Sequence, residues 1–424
     1  MSISMLRIGL LLGLLSHTAM AADTRAFVGA RIVDGTGKPA IENGTLVIQD
    51  GRVLAVGPSS RVKPPRGAEV VSAGGKTIIP GLINAHGHVG ETQGLRQGAQ
   101  FYTPENVARQ LGLYARYGIT TVFSLGGDRE AGFRMREEQD TPSLKRSRIF
   151  VAGTIIVADT PEAARKQVDE VAATRSDIIK IRVDDNLGTT RKMSPEVYAA
   201  VIDEAHKKGM RAAVHIFYLE DAKAVLKLGA DYIAHSVRDR DIDAETIALL
   251  KQRDVPLCPT LTREVSAFAY GSTPEFFADP FFLREADNRE VSEQLKDPKR
   301  EQAMRESAAA RQYRDALEVA KRNLKKLSDA GVRIVMGTDT GPPARFQGYF
   351  EHTELELMVQ AGLTPMQALV AATGDAARLL KRSGKIGTLE PGAWADFLVL
   401  AKNPLEDIRN TKSLEAVWIA GNKL

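Results

Sequence analysis

The sequence predicts an α/β fold: a (β/α)8 TIM-like barrel with a small β-sandwich domain built from both termini. Three observations carry that expectation. Between Pro80 and Arg382, strand-like apolar segments alternate with amphipathic helical ones. The two ends of the chain are instead β-rich and broken by glycine. No G-x-G-x-x-G follows a strand, which counts against an open doubly wound sheet binding a nucleotide, the second-best architecture.

The first residues stand apart from both units. "MSISMLRIGLLLGLLSHTAMAAD" has a basic residue at Arg7, an apolar run from Ile8 to Leu15 and the small-x-small triplet Ala19-Met20-Ala21. That is the order of a cleavable export signal over residues 1–21, with a mature chain from about Ala22 in the periplasm or outside the cell. The apolar run is too short to span a bilayer, and no cysteine follows it, so neither a membrane helix nor a lipid anchor is expected. Net charge is +4, from 57 basic and 53 acidic residues that are interspersed along the chain. Such a balance argues against nucleic acid or a membrane surface as partner. The single cysteine, Cys258, excludes an intrachain disulfide and sits in the apolar "DVPLCPTL", where a core role is expected.

Residues 22–79 predict the N-terminal part of the sandwich. "FVGARIVDGTG", "GTLVIQDGRVLAVG" and "KTIIPG" alternate, with Asp34-Gly35 and Asp50-Gly51 as hairpin turns. Residues 385–424, with "WADFLVL" and "LEAVWIAG", predict its C-terminal part. The barrel is expected over 80–384. After the strand before His86, its strands are 120–125, 148–153, 177–183, 211–216, 231–236, 255–260 and 333–339. Ser194-Pro195 reads as an N-cap followed by proline at the first helical position. Residues 261–330 form an insertion rich in aromatics and then in charge; a lid and an oligomerisation element are equally compatible with it.

Reactive residue types collect at the predicted strand ends. His86 and His88 follow the first strand, Lys180 lies within "DIIKI", His215 and His235 end the next two, and Asp339 ends the last. In a barrel these positions converge on one mouth. A lone strand histidine is more often a satisfied core group, and Lys180 has a ready acid partner in Asp184 or Asp185. Yet His86, His88, His215 and His235 are four of only 7 histidines; His17 lies in the signal, and His206 and His352 read as helical. Histidines two apart on a strand share a face and can reach one metal ion. With a carboxylate the set supplies donors for two divalent ions.

"PGLINAHGHVG", "DIIKI", "VHIF", "YIAHS" and "MGTDTG" resemble the metal-ligand series of the amidohydrolase superfamily. "LMVQAGLTPMQALVAATGDAARLL", "GKIGTLEPGAWADFLVL" and "NPLEDI" resemble its C-terminal signature. The likeness covers nearly the whole mature chain and points to the branch of imidazolonepropionase-like hydrolases and metal-dependent prolidases. It implies that His86, His88 and Asp339 hold one ion and His215 and His235 a second. It also implies that Lys180 is N-carboxylated by CO2 and bridges both; an unmodified lysine beside a single metal is the alternative. A bridging hydroxide would attack the substrate carbonyl, and Asp339 would carry the proton to the leaving amine. Zn2+ is the first expectation, although Mn, Co or Fe would suit the same donors. Relatives commonly self-associate, so a homo-oligomer is expected.

The sequence departs from the family at informative places. Deaminases carry a glutamate three residues after the fifth-strand histidine, where this chain has Tyr218. That argues for hydrolysis of an amide or peptide bond instead. Prolidase-like relatives place a carbonyl-polarising tyrosine two residues after that histidine; here Phe217 stands there, with Tyr218 next to it as catalytic and substrate-binding candidate or as a packing aromatic. Arg182 shares the face of Lys180 and would receive a substrate carboxylate, or else make a structural ion pair. The connection from the third to the fourth strand is short, so one pocket wall of the relatives is missing. "SLGGD" (124–128) either lines the pocket or only turns the chain. The expectation is an exported binuclear amidohydrolase acting on a dipeptide or N-acyl amino acid. A cyclic amide or lactone hydrolase is the alternative, and a non-catalytic scaffold a third class.

Overall fold

A computed structural model of the chain describes residues 24–424. The expected export signal over residues 1–21 lies outside the described residues. Thr24–Ile32 pairs antiparallel with Ile41–Gln49 and parallel with both Glu69–Ser72 and Thr77–Pro80. Arg52–Pro58 continues the sheet beyond Ile41–Gln49, while Phe397–Leu400, Leu414–Ile419 and Asn422–Lys423 extend it from Thr77–Pro80. Strands from both ends of the chain thus join one eight-stranded sheet. Its own apolar core is centred on Phe27, Phe397 and Trp418, with Phe27 and Phe397 edge to face at 5.0 Å.

The turn at Asp50-Gly51 has both residues at positive φ (50° and 78°), as a two-residue hairpin of matching twist requires. Asp34-Gly35 differs from expectation. It opens a longer loop in which Asp34 Oδ1 accepts from the Thr36 amide at 2.8 Å, so the aspartate caps its own backbone there.

The middle of the chain alternates strand and helix. Leu82–Gly87, Ile119–Ser124 and Arg148–Val151 pair in parallel. Ile179–Val183, Ala212–Ile216, Tyr232–Ala234 and Leu257–Cys258 make a second parallel sheet. Isolated parallel bridges continue the pairing: Ile156 to Ile181, Leu257 to Ile334 and Thr340 to Gly87. Pairing therefore passes from each segment to the next and returns to the first. The segment expected as a strand over 333–339 lies between the last and first of these strands, with Val335 N bonding Leu257 O at 3.0 Å and Ala85 N bonding Met336 O at 2.8 Å. Gly337 accounts for its proximity to the first strand: a Cβ there would meet His86 N and Cys258 Sγ, each at 2.6 Å.

Several helices begin at Thr-Pro pairs. Thr103, Thr160 and Thr364 cap helices whose first residues are Pro104, Pro161 and Pro365. Ser194 occupies the N-cap before Pro195, but its side chain makes no capping bond. The 261–330 stretch folds as short helices followed by the long helix Ala308–Asp329. Its aromatics pack inward: Phe282 is fully buried against Phe346 at 4.7 Å. Among the described residues, no helix is long and apolar enough to cross a membrane. The middle segments are tied to the terminal sheet by a buried ion pair, Arg148 Nε to Asp396 Oδ2 at 2.9 Å.

Candidate metal centre

The parallel order places the histidines side by side. Ring centroids are 5.6 Å apart for His86 and His88, 4.6 Å for His86 and His235, and 4.1 Å for His215 and His235. Asp339 closes one end, with Oδ1 at 2.9 Å from His88 Nε2 and 3.5 Å from His86 Nε2. Donor atoms of His86, His88 and Asp339 lie within 4.8 Å of one another, near enough to share one cation. Lys180 and His215 stand on adjacent strands, and Lys180 is almost fully buried.

Three of the four rings, those of His88, His215 and His235, are oriented by a side-chain or backbone partner. His88 Nδ1 lies 3.0 Å from the Gly126 carbonyl, so Nδ1 donates there and turns Nε2 toward Asp339. "SLGGD" therefore holds the ring of His88 through the Gly126 carbonyl as well as turning the chain. The Thr260 hydroxyl donates to Pro259 O at 2.8 Å, which leaves its oxygen to accept from His235 Nδ1 at 2.6 Å. His235 Nε2 is consequently free, and it is buried without a partner. His215 Nε2 meets Asp184 Oδ2 at 2.7 Å, leaving Nδ1 as its lone-pair nitrogen.

Strain gathers at the same place. His235, Thr260 and Asp339 have φ of 91°, 50° and 57°, a region that non-glycine residues seldom occupy.

The electrostatics favour neutral imidazoles and an ionised carboxylate. Burial, with Lys180 or the neighbouring rings, holds His86 and His235 well below the usual histidine range. Burial likewise pushes His215 down to about 3, despite Asp184. His88 is the exception: burial lowers it, but the bond to Asp339 outweighs that and raises it. Burial opposes ionisation of Asp339, yet Arg345 and the two histidines hold it well below the carboxylate range.

Lys180 has neither of its expected partners. Its Nζ is buried with no hydrogen bond, and burial lowers it to about 8. Asp184 is engaged by His215 and by the Asn186 amide, and Asp185 accepts from the Tyr218 hydroxyl at 2.8 Å. Three buried nitrogens of the site, His86 Nδ1, His235 Nε2 and Lys180 Nζ, have no hydrogen-bond partner. Such orphans are costly unless something absent from the polypeptide engages them. They fit divalent cations and an N-carboxylated lysine.

Arg182 and Tyr218 stand further out. Arg182 pairs in register with His215, and its side chain is 43% exposed. Tyr218 is half-buried, with Lys192 Nζ 4.3 Å from its ring centre. Of the remaining histidines, His206 bonds Asp231 on a helix, and His352 is buried between Thr411 and Tyr117; both are structural. Cys258 is fully buried, as expected.

Several supporting groups have no sequence signature. Arg345 and Thr260 lack any diagnostic spacing to the ligands they hold. Glu351 is the readable exception, a carboxylate on the apolar side of "FEHTELELM". It accepts from Asn84, Thr338 and Thr340 at 2.7 Å each. Asn84 in turn accepts from the His86 amide at 3.0 Å, which braces the first ligand strand.

An uncharacterized protein of Mycobacterium tuberculosis is 27% identical over 387 residues, covering 88% of this chain and 90% of that one. Imidazolonepropionase of Geobacillus kaustophilus is 23% identical over 418 residues, covering 85% and 84%. A solved structure of a candidate prolidase from Bifidobacterium longum superposes with a TM-score of 0.74 at 26% identity, covering 95% of this chain and 94% of that one. Residues 77–424 match the family model described as Amidohydrolase family, and with it the chain is placed: it belongs to the amidohydrolase family and is a hydrolase acting on the carbon–nitrogen bonds of amides.

Proposed function

We propose that the protein is an exported, binuclear metal-dependent hydrolase cleaving the amide of a dipeptide or N-acyl amino acid. The ring of parallel pairings is read as a closed (β/α)8 barrel over 80–384, with the terminal strands of 22–79 and 385–424 folded into a sandwich. The observation that carries the proposal is the convergence of His86, His88, His215, His235 and Asp339 around Lys180, whose buried amine has no partner. His86, His88 and Asp339 would hold one ion, His215 Nδ1 and His235 Nε2 the second. Lys180 would serve both as a carbamate, formed when its amine adds to CO2 with loss of a proton. Its lowered affinity for protons supplies the free amine that this addition needs. The carbamate also replaces a buried cation by an anion beside two dications. Zn2+ is the proposed ion, and a homo-oligomer the proposed assembly.

Divalent ions at these positions supply an acidified water and a polarised substrate carbonyl. The chain's own residues do the rest. The Asp339 carboxylate takes the proton of the attacking water and delivers it to the departing nitrogen, which leaves as an amine. The Tyr218 hydroxyl, which donates to Asp185 at 2.8 Å, would have to turn from that carboxylate to donate to the substrate carbonyl. The second reading, a ring amide or lactone as substrate, is favoured by the likeness to imidazolonepropionase.

The test is a hydrolysis screen of the protein loaded with Zn2+ and bicarbonate. Dipeptides, N-acyl amino acids, cyclic amides and lactones are offered, with Asp339→Asn as control. Release of free amine from linear substrates, absent in the control, is the expected result. Turnover of rings alone would replace the first reading by the second. Lys180→Ala should lose at least one metal and most activity; unchanged metal content and turnover would defeat the carbamate.

A further inference from the structure

Thr260, whose hydroxyl orients His235, is a fully buried β-branched residue at φ 50° and ψ 47°. Left-handed backbone of this kind persists only where the surroundings hold it. The two residues that follow are gripped by one side chain from the helix Tyr349–Gln360. Glu354 Oε1 accepts from the Leu261 amide at 2.7 Å, and Oε2 accepts from the Thr262 amide and the Thr262 hydroxyl, each at 2.8 Å.

The burial of this carboxyl needs a reason. Glu354 is fully buried, and among the described residues no cation pairs with it. Glu351, one turn earlier on the same helix, is a second buried carboxyl and adds to the cost. A carboxyl so placed is tolerated only when its oxygens are hydrogen-bonded. All three of its donors come from the turn that follows Thr260. That turn reaches the candidate centre at two points. The Thr260 oxygen accepts from His235 Nδ1 at 2.6 Å, and the Thr262 hydroxyl lies 3.4 Å from the carbonyl of Thr338, the neighbour of Asp339.

We propose that Glu354 is a positioning residue of the centre: by holding the Leu261 and Thr262 amides it keeps Thr260 in its left-handed conformation, and so fixes the His235 ring with Nε2 unprotonated. The proposal rests on the binuclear reading in that His235 is taken to be a metal ligand. Glu354 touches no ligand itself, and its effect passes entirely through Thr260.

The tautomer can be read without metal. In metal-free protein labelled with 15N-histidine, long-range 1H–15N correlations report which nitrogen of each ring carries its proton, and His235→Gln assigns the His235 signals. The wild-type ring should carry it on Nδ1. A carboxamide at position 354 keeps one acceptor and turns an N–H against one of the two amides. In Glu354→Gln the tautomer protonated on Nε2 should therefore appear at His235, as it should in Thr260→Val, while His206 and His352 keep their wild-type signals. A Zn2+ titration should show one binding step weakened about tenfold, the lower end of what loss of an outer partner costs. Adding E354Q to T260V should change that step by less than about twofold, because both act through one hydroxyl.

A wild-type ring protonated on Nε2, a His235 signal unchanged in E354Q, or effects of the two substitutions that simply multiply would each overturn the role. If E354Q does not fold, Glu354→Asp, which keeps the charge but is too short to reach both amides, is read by the same signals. A changed tautomer in a protein whose wild type binds no Zn2+ would leave the positioning role standing and remove the binuclear reading. Normal Zn2+ binding with an unchanged tautomer would do the reverse.

Discussion

Replacing Thr260 by valine tests whether the surroundings of His235 prepare it as a ligand. Valine keeps the shape and the β-branching at a residue already held at φ 50°, so the substitution removes little besides the hydroxyl. That hydroxyl donates to Pro259 O, and its oxygen accepts from His235 Nδ1 at 2.6 Å, which selects the tautomer with Nε2 unprotonated. In Thr260→Val the buried Nδ1–H has no acceptor, and the tautomer protonated on Nε2 competes. Loss of an outer partner of this kind lowers metal affinity by about 10–100-fold, which is about 1.4–2.7 kcal/mol. Folding stability should also fall, by about 1–3 kcal/mol for the group left unpaired. The assay is a titration of metal-free protein with Zn2+ against a competing chromophoric chelator, with metal per chain counted after dialysis. One binding step should weaken by the stated factor in T260V and return to within about threefold of wild type in T260S, which restores the oxygen. A T260V curve that superimposes on the wild type would refute the argument that this hydrogen bond presets the ring.

Two further predictions concern the scaffold. Burial raises Glu351 from 4.5 to about 7, against the hydrogen bonds from Thr340 and Thr338. A folded value above the unfolded one means that its stabilisation is complete at low pH and is lost as pH rises through about 7, a change of about 3 kcal/mol at roughly 1.4 kcal/mol per pH unit. Glu351→Gln should flatten that part of the stability profile in urea titrations run at several pH values; an unaltered slope would count against it. Asp396 pairs with Arg148, both about 2% exposed, and accepts from the Ala420 amide at 2.7 Å. Asp396→Ala should cost about 3–5 kcal/mol by stranding a buried guanidinium, with metal stoichiometry unchanged. A loss below about 1 kcal/mol would show that Arg148 finds other partners.

The alternation of apolar strands and amphipathic helices was legible because burial imposes its period on the chain, and the helix start at Ser194-Pro195 was legible because it is encoded locally. The end of the last strand was not. Residues 333–339 read as a strand and do bond both neighbours, yet the segment ends with Asp339 at φ 57° where Gly337 packs close against His86. Nothing local to that segment reveals how many of its amides find partners on another strand. The expected pairing of Lys180 with Asp184 or Asp185 failed for a related reason: proximity in sequence made those acids candidates, but the strand end turns them toward His215 and Tyr218.

By itself, the sequence determined the family and the candidate donor set. Residue type and position along each strand dictate which side chains face the same end, and six such positions form a pattern that chance seldom produces. Only the tertiary structure decided how each donor is presented: the tautomers set by Gly126, Thr260 and Asp184, the pairing of Asp339 with Arg345, and the solitary amine of Lys180. These depend on contacts between residues far apart in the chain and on the depth at which water is excluded. Burial and hydrogen-bond geometry are properties of the folded volume, and no local stretch of sequence carries them.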